Sequence, residues 1–401
     1  HSEALIRHAR SIKTAPTSIQ ARAAFFGTML KLPEGFEPTE EIIRLHHENL
    51  QILVSHPSGV LRSIQVKRED GEFDFSKVHQ ELEKRAKIVT KVLDHSAQNP
   101  MPLQFLTEDL GIKMFEGWSA FTTDPKRGIR MCSGTRNEQD AQLRAISSCK
   151  AVSVDLIALF SLQGLGKLGL LNKLFDKVFI HISTLDAVVE ELREAVAWPS
   201  SDRISSVNGQ MILFPSDKNE SERRIQALTE IRNFLKSDRI VLSGLPLTSK
   251  FASFVSDFAC NSRIENLMKP ALVALDQNAA FLSDDLIQRA LSARLCCPSF
   301  CTQALLRRAL SETIISLSEY QDAVLTLHSW NYHFVSDNRW TLLRLLEREK
   351  APASALAQKV LSNLVRNSVA SNESRSLLLE LILYTWAKSH QQDLSARLWI
   401  R

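Results

Sequence analysis

The stretch that decides the fold is Ala151-Val-Ser-Val-Asp155, a short, apolar, β-branched run that ends on a carboxylate. Two similar runs follow, Val178-Phe-Ile-His-Ile182 and Ala280-Phe-Leu-Ser-Asp-Asp285. Asp186 and Glu190 come shortly after the first of these, and paired aspartates end the second. Because the carboxyl ends of parallel strands meet at one edge of a sheet, we expect these acids to lie together there.

Helices and strands alternate around these runs. Helices are predicted at 139–148, after 155, after 184 and at 220–235, and strands at 151–154, 178–182, 239–242, 281–282 and 332–336. The Asn208-Gly209 step before an apolar run predicts a hairpin. The alternation predicts βαβ crossovers, and therefore an α/β domain at 145–340 with a mostly parallel sheet flanked by helices.

The two ends of the chain are predicted to be helical. Residues 1–100 and 341–401 carry apolar positions at helical spacing, whereas 101–144 breaks into short pieces typical of a connector or a small α/β piece. The C-terminal helices present more apolar surface than the α/β core requires. We expect them to dock onto the domain, onto a second copy of the chain, or onto a helical-repeat partner; a self-contained helical cap is the alternative.

The composition indicates a globular protein. A chain of 401 residues corresponds to two or three domains at roughly 150 residues each. Lys and Arg number 49 against 45 acids, so the net charge of +4 leaves the kind of partner open. No apolar run approaches the ~20 residues of a membrane span, and the N-terminus lacks the apolar region of a signal peptide. We therefore expect a cytoplasmic protein with no membrane partner.

Three motifs that suggest other chemistry have simpler explanations. Gly164-Leu-Gly-Lys-Leu-Gly169 has the spacing of a dinucleotide fingerprint, but residues 156–163 separate it from the strand, so we predict a loop between two helices. The cysteines lack zinc-site spacing, and adjacent Cys296 and Cys297 are predicted to pack in the core of a protein from a reducing compartment. His181 lies inside a strand and no nucleophile elbow is present, which argues against a serine or cysteine hydrolase.

Each acid also has a structural interpretation. Asp155 is costly to bury unless it is paired or bound to a cation, although an exposed strand end is the alternative. Asp284 and Asp285 precede an apolar helix, so Ser283 or Asp284 is a candidate N-cap, and the helix dipole favours the Asp that follows it. Glu190, with Glu191 and Glu194, belongs to a run of acids that has the composition of a solvated helix face. Chemical and structural roles are therefore both open at these positions.

The order of these elements resembles that of the PIN-domain nucleases. It looks most like the PIN modules of bacterial proteins that combine tetratricopeptide-like helices with a Gre-factor-like domain and are thought to act in biological conflict. The resemblance covers about 145–340. The features that carry it are Asp155 after the first strand, the acidic helix after Val178–Ile182, Ser283-Asp-Asp285 after a late strand, a closing strand at Phe334-Val335, and the segments Phe300-Cys-Thr-Gln-Ala-Leu-Leu306 and Trp330-Asn-Tyr-His-Phe-Val335.

The resemblance implies a metal-dependent endoribonuclease, a hydrolase in which carboxylates hold Mg²⁺ or Mn²⁺ at the scissile phosphate of RNA. The implied catalytic residues are Asp155, Asp186, Glu190, Asp284 and Asp285. All of them except Asp186 are implied metal ligands, and Asp337 is a further candidate. The residues expected to contact RNA are Ser283 and the basic Lys167, Arg289 and Arg294, which would track its phosphates.

The chain departs from the family pattern at one position. The helical Glu of the family would fall near Ala187, with Asp186 beside it and Glu190 one turn later. If neither acid reaches the metal, the resemblance implies a degenerate domain that binds RNA or a protein without cutting. The distances among the carboxylates therefore discriminate between a ribonuclease and an interaction module.

Overall fold

The computed structural model describes residues 2–29, 38–55, 67–69, 72–74, 76–124, 128–133, 135–197, 203–207, 210–214, 218–244 and 262–333, together with Arg344, Gln358, Val360, Ser376 and Leu379. The chain divides into two compact units. The first unit is His1–Lys91 with Leu192–Ile225, and the second unit is Val92–Glu191 with Gln226–Arg401. The predicted C-terminal helices lie mostly outside the described residues.

The helices, in chain order, are α1 (Ser2–Thr14), α2 (Ile19–Met29), α3 (Glu40–Ser55), α4 (Ser76–Gln98), α5 (Leu103–Leu110), α6 (Met114–Thr123), α7 (Arg136–Ser148), α8 (Leu156–Gly164), α9 (Gly169–Leu174), α10 (Ile182–Ala197), α11 (Lys218–Leu235), α12 (Ser262–Asp276), α13 (Leu286–Arg294), α14 (Thr302–Ser311) and α15 (Leu317–Ser329). The strands are β1 (Lys67–Glu69), β2 (Glu72–Asp74), β3 (Ile129–Arg130), β4 (Ala151–Val154), β5 (Lys177–His181), β6 (Arg203–Val207), β7 (Gln210–Phe214), β8 (Ile240–Ser243), β9 (Ala280–Leu282), β10 (Ser299–Phe300) and β11 (Tyr332–His333). Within the described ranges, no helix has the length and apolar character needed to cross a membrane.

The first unit consists of helices and short hairpins. Helices α1 to α3 pack around the buried side chains of Leu5, Ile12 and Phe25. Arg22 on α2 donates to Asn49 Oδ1 on α3 at 3.1 Å, and Asn49 returns a hydrogen bond to the Arg22 carbonyl at 2.6 Å. Strands β6 and β7 pair antiparallel on either side of residues 208–209, which confirms the predicted hairpin.

A five-stranded parallel sheet forms the centre of the second unit, in the order β10-β9-β4-β5-β8. Strand β4 lies in the middle, with Val152 in register with Val178 on β5 and Ala280 on β9. All three side chains are buried, as expected for a parallel sheet whose two faces are both covered. The sheet and its flanking helices confirm the predicted α/β fold class.

Helix α12 covers one face of this sheet. Phe179 of β5 and Phe281 of β9 belong to a buried apolar cluster with Met268 of α12. The buried hydroxyl of Ser153, in the central strand, donates to the Pro270 carbonyl at 2.7 Å. This bond satisfies a polar atom in the core and sets the position of α12 along the strands.

The connector at 101–144 contributes to the second unit through aromatic packing. Trp118 of α6 packs beside Phe160 of α8, with ring centroids 5.8 Å apart, and donates to the Tyr332 hydroxyl at 2.9 Å. Tyr332 in turn pairs with Ile129, so β11 joins β3 in a separate two-stranded sheet. The predicted strand at 332–336 is therefore described only at its first two residues, which lie outside the main sheet.

The glycine motif lies at the junction of α8 and α9, as predicted. Gly164 ends α8 beside Trp330, and a Cβ at this position would lie 2.6 Å from the indole ring. Gly166 has a φ of 65°, a left-handed conformation that glycine adopts at little cost. These glycines allow helix packing and a turn, and they do not form the strand-to-helix turn of a dinucleotide site.

We predict that Gly164→Ala lowers the free energy of unfolding by about 1–3 kcal/mol, because the added methyl group overpacks against Trp330. Gly169→Ala is the matched control, since nothing lies within 4 Å of a Cβ added there. It should be neutral or slightly stabilising, because alanine favours a helix over glycine. Urea unfolding of the two variants measures the difference, and equal stabilities would contradict the packing argument.

Candidate active site

The carboxyl edge of the parallel sheet gathers acids at one end of the second unit. Strands β4 and β9 are in register up to Val154 and Leu282, so Asp155 and Ser283 leave the sheet at the same level. Asp155 still donates its amide to the Leu282 carbonyl, at 3.1 Å. The step from Ser283 to Asp285 therefore lies beside Asp155.

Asp155 is buried and begins α8. Its Oδ1 accepts the Ala158 amide at 2.7 Å, which caps the helix. Its Oδ2 is buried and has no hydrogen-bond partner among the described residues. The nearby Ser283 hydroxyl has one proton, which it donates to Gln288 Oε1 at 3.2 Å. Because a buried oxygen without a partner is costly, Oδ2 is an atom of this edge that a ligand would stabilise.

Burial raises the pKa of Asp155 to about 8, and the charges of Asp284 and Asp285 add to this effect. The Ala158 amide, which donates to Oδ1, lowers the same pKa but is outweighed. Asp155 therefore keeps its proton at neutral pH when no cation is bound. A cation at Oδ2 would favour the charged form, so its binding is linked to release of that proton.

Asp284 is buried, and Thr302 occupies both of its oxygens. Oδ1 accepts the Thr302 amide and Oδ2 accepts the Thr302 hydroxyl, each at 2.7 Å. Thr302 is the first residue of α14, whose own N-cap, Cys301, provides no side-chain hydrogen bond. Asp284 thus caps α14 from another segment, and this geometry leaves neither of its oxygens without a partner.

Asp285 caps two helices. Its Oδ1 accepts the amides of Ile287 at 2.9 Å and Gln288 at 3.1 Å, at the start of α13. Its Oδ2 accepts the amide of Leu103, the first residue of α5, at 2.8 Å. The predicted N-cap before α13 is present, but the capping residue is Asp285 and not Ser283 or Asp284 as the sequence predicted. Burial raises the pKa of its carboxyl above the usual range, although these amides lower it.

Helix α10 turns its acids in two directions. Asp186 and Glu190 are exposed, and Glu190 Oε1 lies 2.9 Å from Lys113 Nζ. Glu191 is buried, and both of its oxygens accept the Phe115 amide of α6 at 3.2 Å. The solvated-face interpretation is therefore wrong for Glu191. A run of glutamates does not reveal which member points inward, because successive helical residues differ in direction by about 100°.

A pocket of about 520 Å³ lies at this edge. Asp155 lines it together with Glu190 and Glu191 of α10 and Lys113 from the loop between α5 and α6. Ala187, the position near which the family pattern places its helical Glu, lies in the pocket wall. With Glu108 of α5, the pocket thus combines four carboxyl groups with one ammonium group, and the acid expected at Ala187 is replaced by a methyl group.

His181 is a further buried polar residue at this edge. The sequence did not reveal it as a site residue, because it lies within the apolar run of β5. Ser153 of β4 is in register with Phe179 of β5. Two residues further along the strands, His181 is therefore level with Asp155. Its Nδ1 accepts the Ser183 amide at 3.0 Å, which places the ring proton on Nε2, an atom without a partner among the described residues. Burial lowers the pKa of His181 to about 4, so the ring is neutral at physiological pH.

Arg289 and Ser283 are buried, which corrects the prediction that they contact RNA. The Arg289 side chain is 4% exposed and donates to the carbonyl of Ser283 at 2.7 Å and to Glu138 Oε1 at 2.8 Å. It also donates to the Met131 carbonyl. A guanidinium with these partners holds the core together, and a phosphate backbone cannot reach it without unfolding this region.

Lys167 and Arg294 lie far from the acids, which corrects the expectation that they border them. Helices α8 and α13 begin at the acidic edge and each run for 9 residues. Their far ends are therefore ~13 Å from this edge. Lys167 follows α8 and pairs with Glu319 at 2.7 Å, whereas Arg294 is exposed in the last turn of α13. The cation that lines the pocket is instead Lys113.

The acids as arranged fit a metal ion only in part. Within the described ranges, no group of three His, Cys, Asp or Glu side chains is placed to hold an ion, and Asp337 lies outside those ranges. The unpartnered Oδ2 of Asp155 suits a cation. The oxygens of Asp284 and Asp285 are already bonded to amide or hydroxyl donors, so the predicted cluster of four ligands is not assembled.

Comparison with known families identifies the domain. Residues 154–294 match the family model described as the PIN domain associated with the TPR-GreAB-C-PIN system. This part of the chain is a PIN domain. No curated protein and no solved structure matches the chain. The matched residues of the PIN domain include Asp155, helix α10 and the step from Ser283 to Asp285, and membership of this family suggests a nuclease role.

We predict that Asp155→Asn raises the free energy of unfolding at about pH 8 by about 1–3 kcal/mol without divalent cations. The wild type loses stability as pH rises from about 4 to about 8, because Asp155 ionises near 3.8 when unfolded but near 8 when folded. Asparagine stays neutral and still caps α8. Urea unfolding at several pH values should show the advantage of the variant shrinking towards acid pH; a constant advantage would contradict this linkage.

We predict that Asp284→Ala lowers the free energy of unfolding by about 2–4 kcal/mol, because the buried amide and hydroxyl of Thr302 lose their acceptors. Asp186→Ala is the control, since this exposed aspartate should contribute less than about 0.5 kcal/mol. Thermal and urea unfolding compare the two. Similar stabilities would show that Asp284 is not the cap that orients α14.

Proposed function

We propose that the PIN domain is an endoribonuclease that hydrolyses RNA phosphodiester bonds with Mg²⁺ or Mn²⁺ in the pocket at Asp155. The observation that carries this proposal is the buried Oδ2 of Asp155, which has no hydrogen-bond partner in the part of the chain that the structure describes. It lies at the carboxyl edge of a parallel sheet, where ligands of open α/β folds bind. A buried oxygen without a hydrogen-bond partner lowers the stability of the folded domain. This cost is expected of a group that forms all of its bonds only when a ligand is present.

Asp155 is the first proposed ligand of the cation, and Glu190 of α10 is the second. A bound divalent cation supplies an activated water molecule and neutralises charge on the scissile phosphate. Asp155 must lose its proton to take part, and burial holds its pKa at about 8. Activity should therefore rise as pH approaches 8 from the acid side, more steeply at low cation concentration.

Lys113 is proposed to contact the RNA phosphate. Its Nζ is 2.9 Å from Glu190 Oε1, and its side chain is 39% exposed. A lysine ammonium is a mobile point charge, so it can turn from Glu190 to an incoming phosphate while Glu190 turns to the cation. A phosphate contact of this kind carries no base information, so cleavage governed by it should be largely independent of RNA sequence.

The family context supports a wider proposal. The matching family is described by its association with the TPR-GreAB-C-PIN system. We place the ribonuclease in a bacterial conflict system, as a cytoplasmic toxin or antiviral effector, with a tetratricopeptide-type helical repeat or a second copy of the chain as partner. The helical ends of the chain would then position or restrain the nuclease without contributing to its chemistry.

A catalytically degenerate PIN module that binds RNA or a protein is the second candidate. It is favoured by Ala187 in the pocket wall and by the occupied oxygens of Asp284 and Asp285. In such a module, the acids would act only as helix caps. The wild-type protein would then bind RNA or a partner but leave RNA intact in the presence of Mn²⁺.

We predict that Asp155→Asn reduces Mn²⁺-dependent cleavage of single-stranded RNA by at least about 100-fold, because it removes the first cation ligand. Asp186→Asn is the matched control and should keep wild-type activity, since Asp186 is exposed and does not line the pocket. Initial rates on a labelled RNA, with Mn²⁺, Mg²⁺ or a chelator, test both variants. Equal cleavage by wild type and Asp155→Asn, or cleavage that persists in the chelator, would falsify the proposal.

A further inference from the structure

Helix α5 forms one wall of the pocket at Asp155. Gln104, Thr107 and Glu108 line the pocket from this helix, which lies outside the residues that match the PIN family model. A pocket of about 520 Å³ has the size of a small-molecule site. An RNA strand that continues on both sides of a scissile phosphate needs an open groove instead. The position of α5 therefore limits which ligands can enter.

The first attachment of α5 is to Asp285. Pro102, at the N-cap of α5, provides no side-chain hydrogen bond, and Asp285 Oδ2 accepts the Leu103 amide in its place at 2.8 Å. Oδ1 of Asp285 is bonded separately, to the amides of Ile287 and Gln288. Departure of α5 would thus free one oxygen of Asp285 while leaving α13 capped.

The second attachment of α5 is to Arg263 of α12. The Arg263 guanidinium contacts Glu108 Oε2 at 2.7 Å and Asp109 Oδ1 at 3.0 Å, and it donates to the Phe105 carbonyl at 2.9 Å. It also lies over the Phe105 ring, 4.6 Å from the centroid. The three charged side chains are 34–39% exposed, so water and salt weaken these ion pairs.

The two helices next to the pocket are held differently. Helix α6 inserts Phe115 and Trp118 into the aromatic core, where Phe115 meets Phe160 edge to face at 5.1 Å. Gly111, with a φ of 63°, ends α5 in a left-handed conformation and separates it from α6. Leu103 and Leu106 of α5 are buried, so opening has a cost and the closed position is favoured at rest.

We propose that α5 is an autoinhibitory lid, latched by Arg263, that closes the pocket and occupies Asp285 until an RNA strand binds. The phosphates of the strand compete with Glu108 and Asp109 for the Arg263 guanidinium, which suits phosphate as well as carboxylate. The open lid turns the pocket into a groove and gives Asp285 a free oxygen beside Asp155. The consequence for catalysis rests on the proposed nuclease function, whereas opening itself does not.

The latch is tested by Arg263→Ala in the full chain. Hydrogen exchange of residues 103–110, measured by mass spectrometry, should become at least about 5-fold faster, because α5 loses its ion pairs. A Glu108→Gln/Asp109→Asn double variant breaks the same ion pairs while keeping Arg263, and it should have the same effect. Arg144→Ala, which removes an exposed arginine of α7, is the control and should leave exchange in α5 unchanged.

Mn²⁺ titration of the same proteins tests the masking of Asp285. Both latch variants should bind Mn²⁺ at least about 5-fold more tightly than wild type, since a carboxylate oxygen becomes available. Adding Asp285→Asn to Arg263→Ala should abolish this gain, because asparagine still caps α13 but provides no carboxylate. The thermal midpoint of each variant confirms that it is folded.

Unchanged exchange in both latch variants overturns the lid, and so does a gain in Mn²⁺ affinity that survives Asp285→Asn. Faster RNA cleavage by the latch variants, together with faster exchange, supports it. Faster exchange and Asp285-dependent Mn²⁺ binding without cleavage by any variant leaves the lid standing and overturns the nuclease function. The two proposals therefore fail in different ways.

Discussion

Burial of carboxyl groups at the carboxyl edge of the sheet is the constraint on which the rest of this domain depends. An acid removed from water needs hydrogen-bond donors, and the free amides at helix N-termini provide them. Asp155 caps α8, Asp284 caps α14, and Asp285 caps both α13 and α5. Glu191 serves α6 in the same way. The acids thus orient the helices that surround the edge.

The same bonds limit the chemistry available at the edge. An oxygen that accepts an amide is less available to a cation. Within the described ranges, Asp155 alone of the three aspartates retains an oxygen without a partner. Carboxyl oxygens that cap helices stabilise the domain, whereas an oxygen left without a donor lowers its stability but can still bind a ligand. The amide of Leu103 is the one cap that a movement of α5 could withdraw, because it belongs to a helix latched by half-exposed ion pairs.

Much of the site follows from local patterns. The apolar runs predict β4, β5 and β9, and the polar step before an apolar helix predicts a cap on α13, although Asp285 makes it instead of Ser283 or Asp284. Glu191 and Lys113 escaped prediction, because their roles depend on how α6 and α10 face each other. Arg289 was misplaced for a related reason: arginine is usually exposed, and here its ion pair with Glu138 and its hydrogen bonds to the Ser283 and Met131 carbonyls make burial tolerable.

By itself, the sequence determined the parallel sheet and the edge at which its acids gather, because strand periodicity and the hand of βαβ crossovers act over short stretches of chain. Only the tertiary structure decided what the carboxyl oxygens outside these local caps are bonded to. Two such donors come from other helices: the Leu103 amide lies 182 residues from Asp285, and the Thr302 amide lies 18 residues from Asp284. Whether two groups form a hydrogen bond depends on differences of a few tenths of an ångström in their separation. No periodicity in the sequence specifies separations so closely.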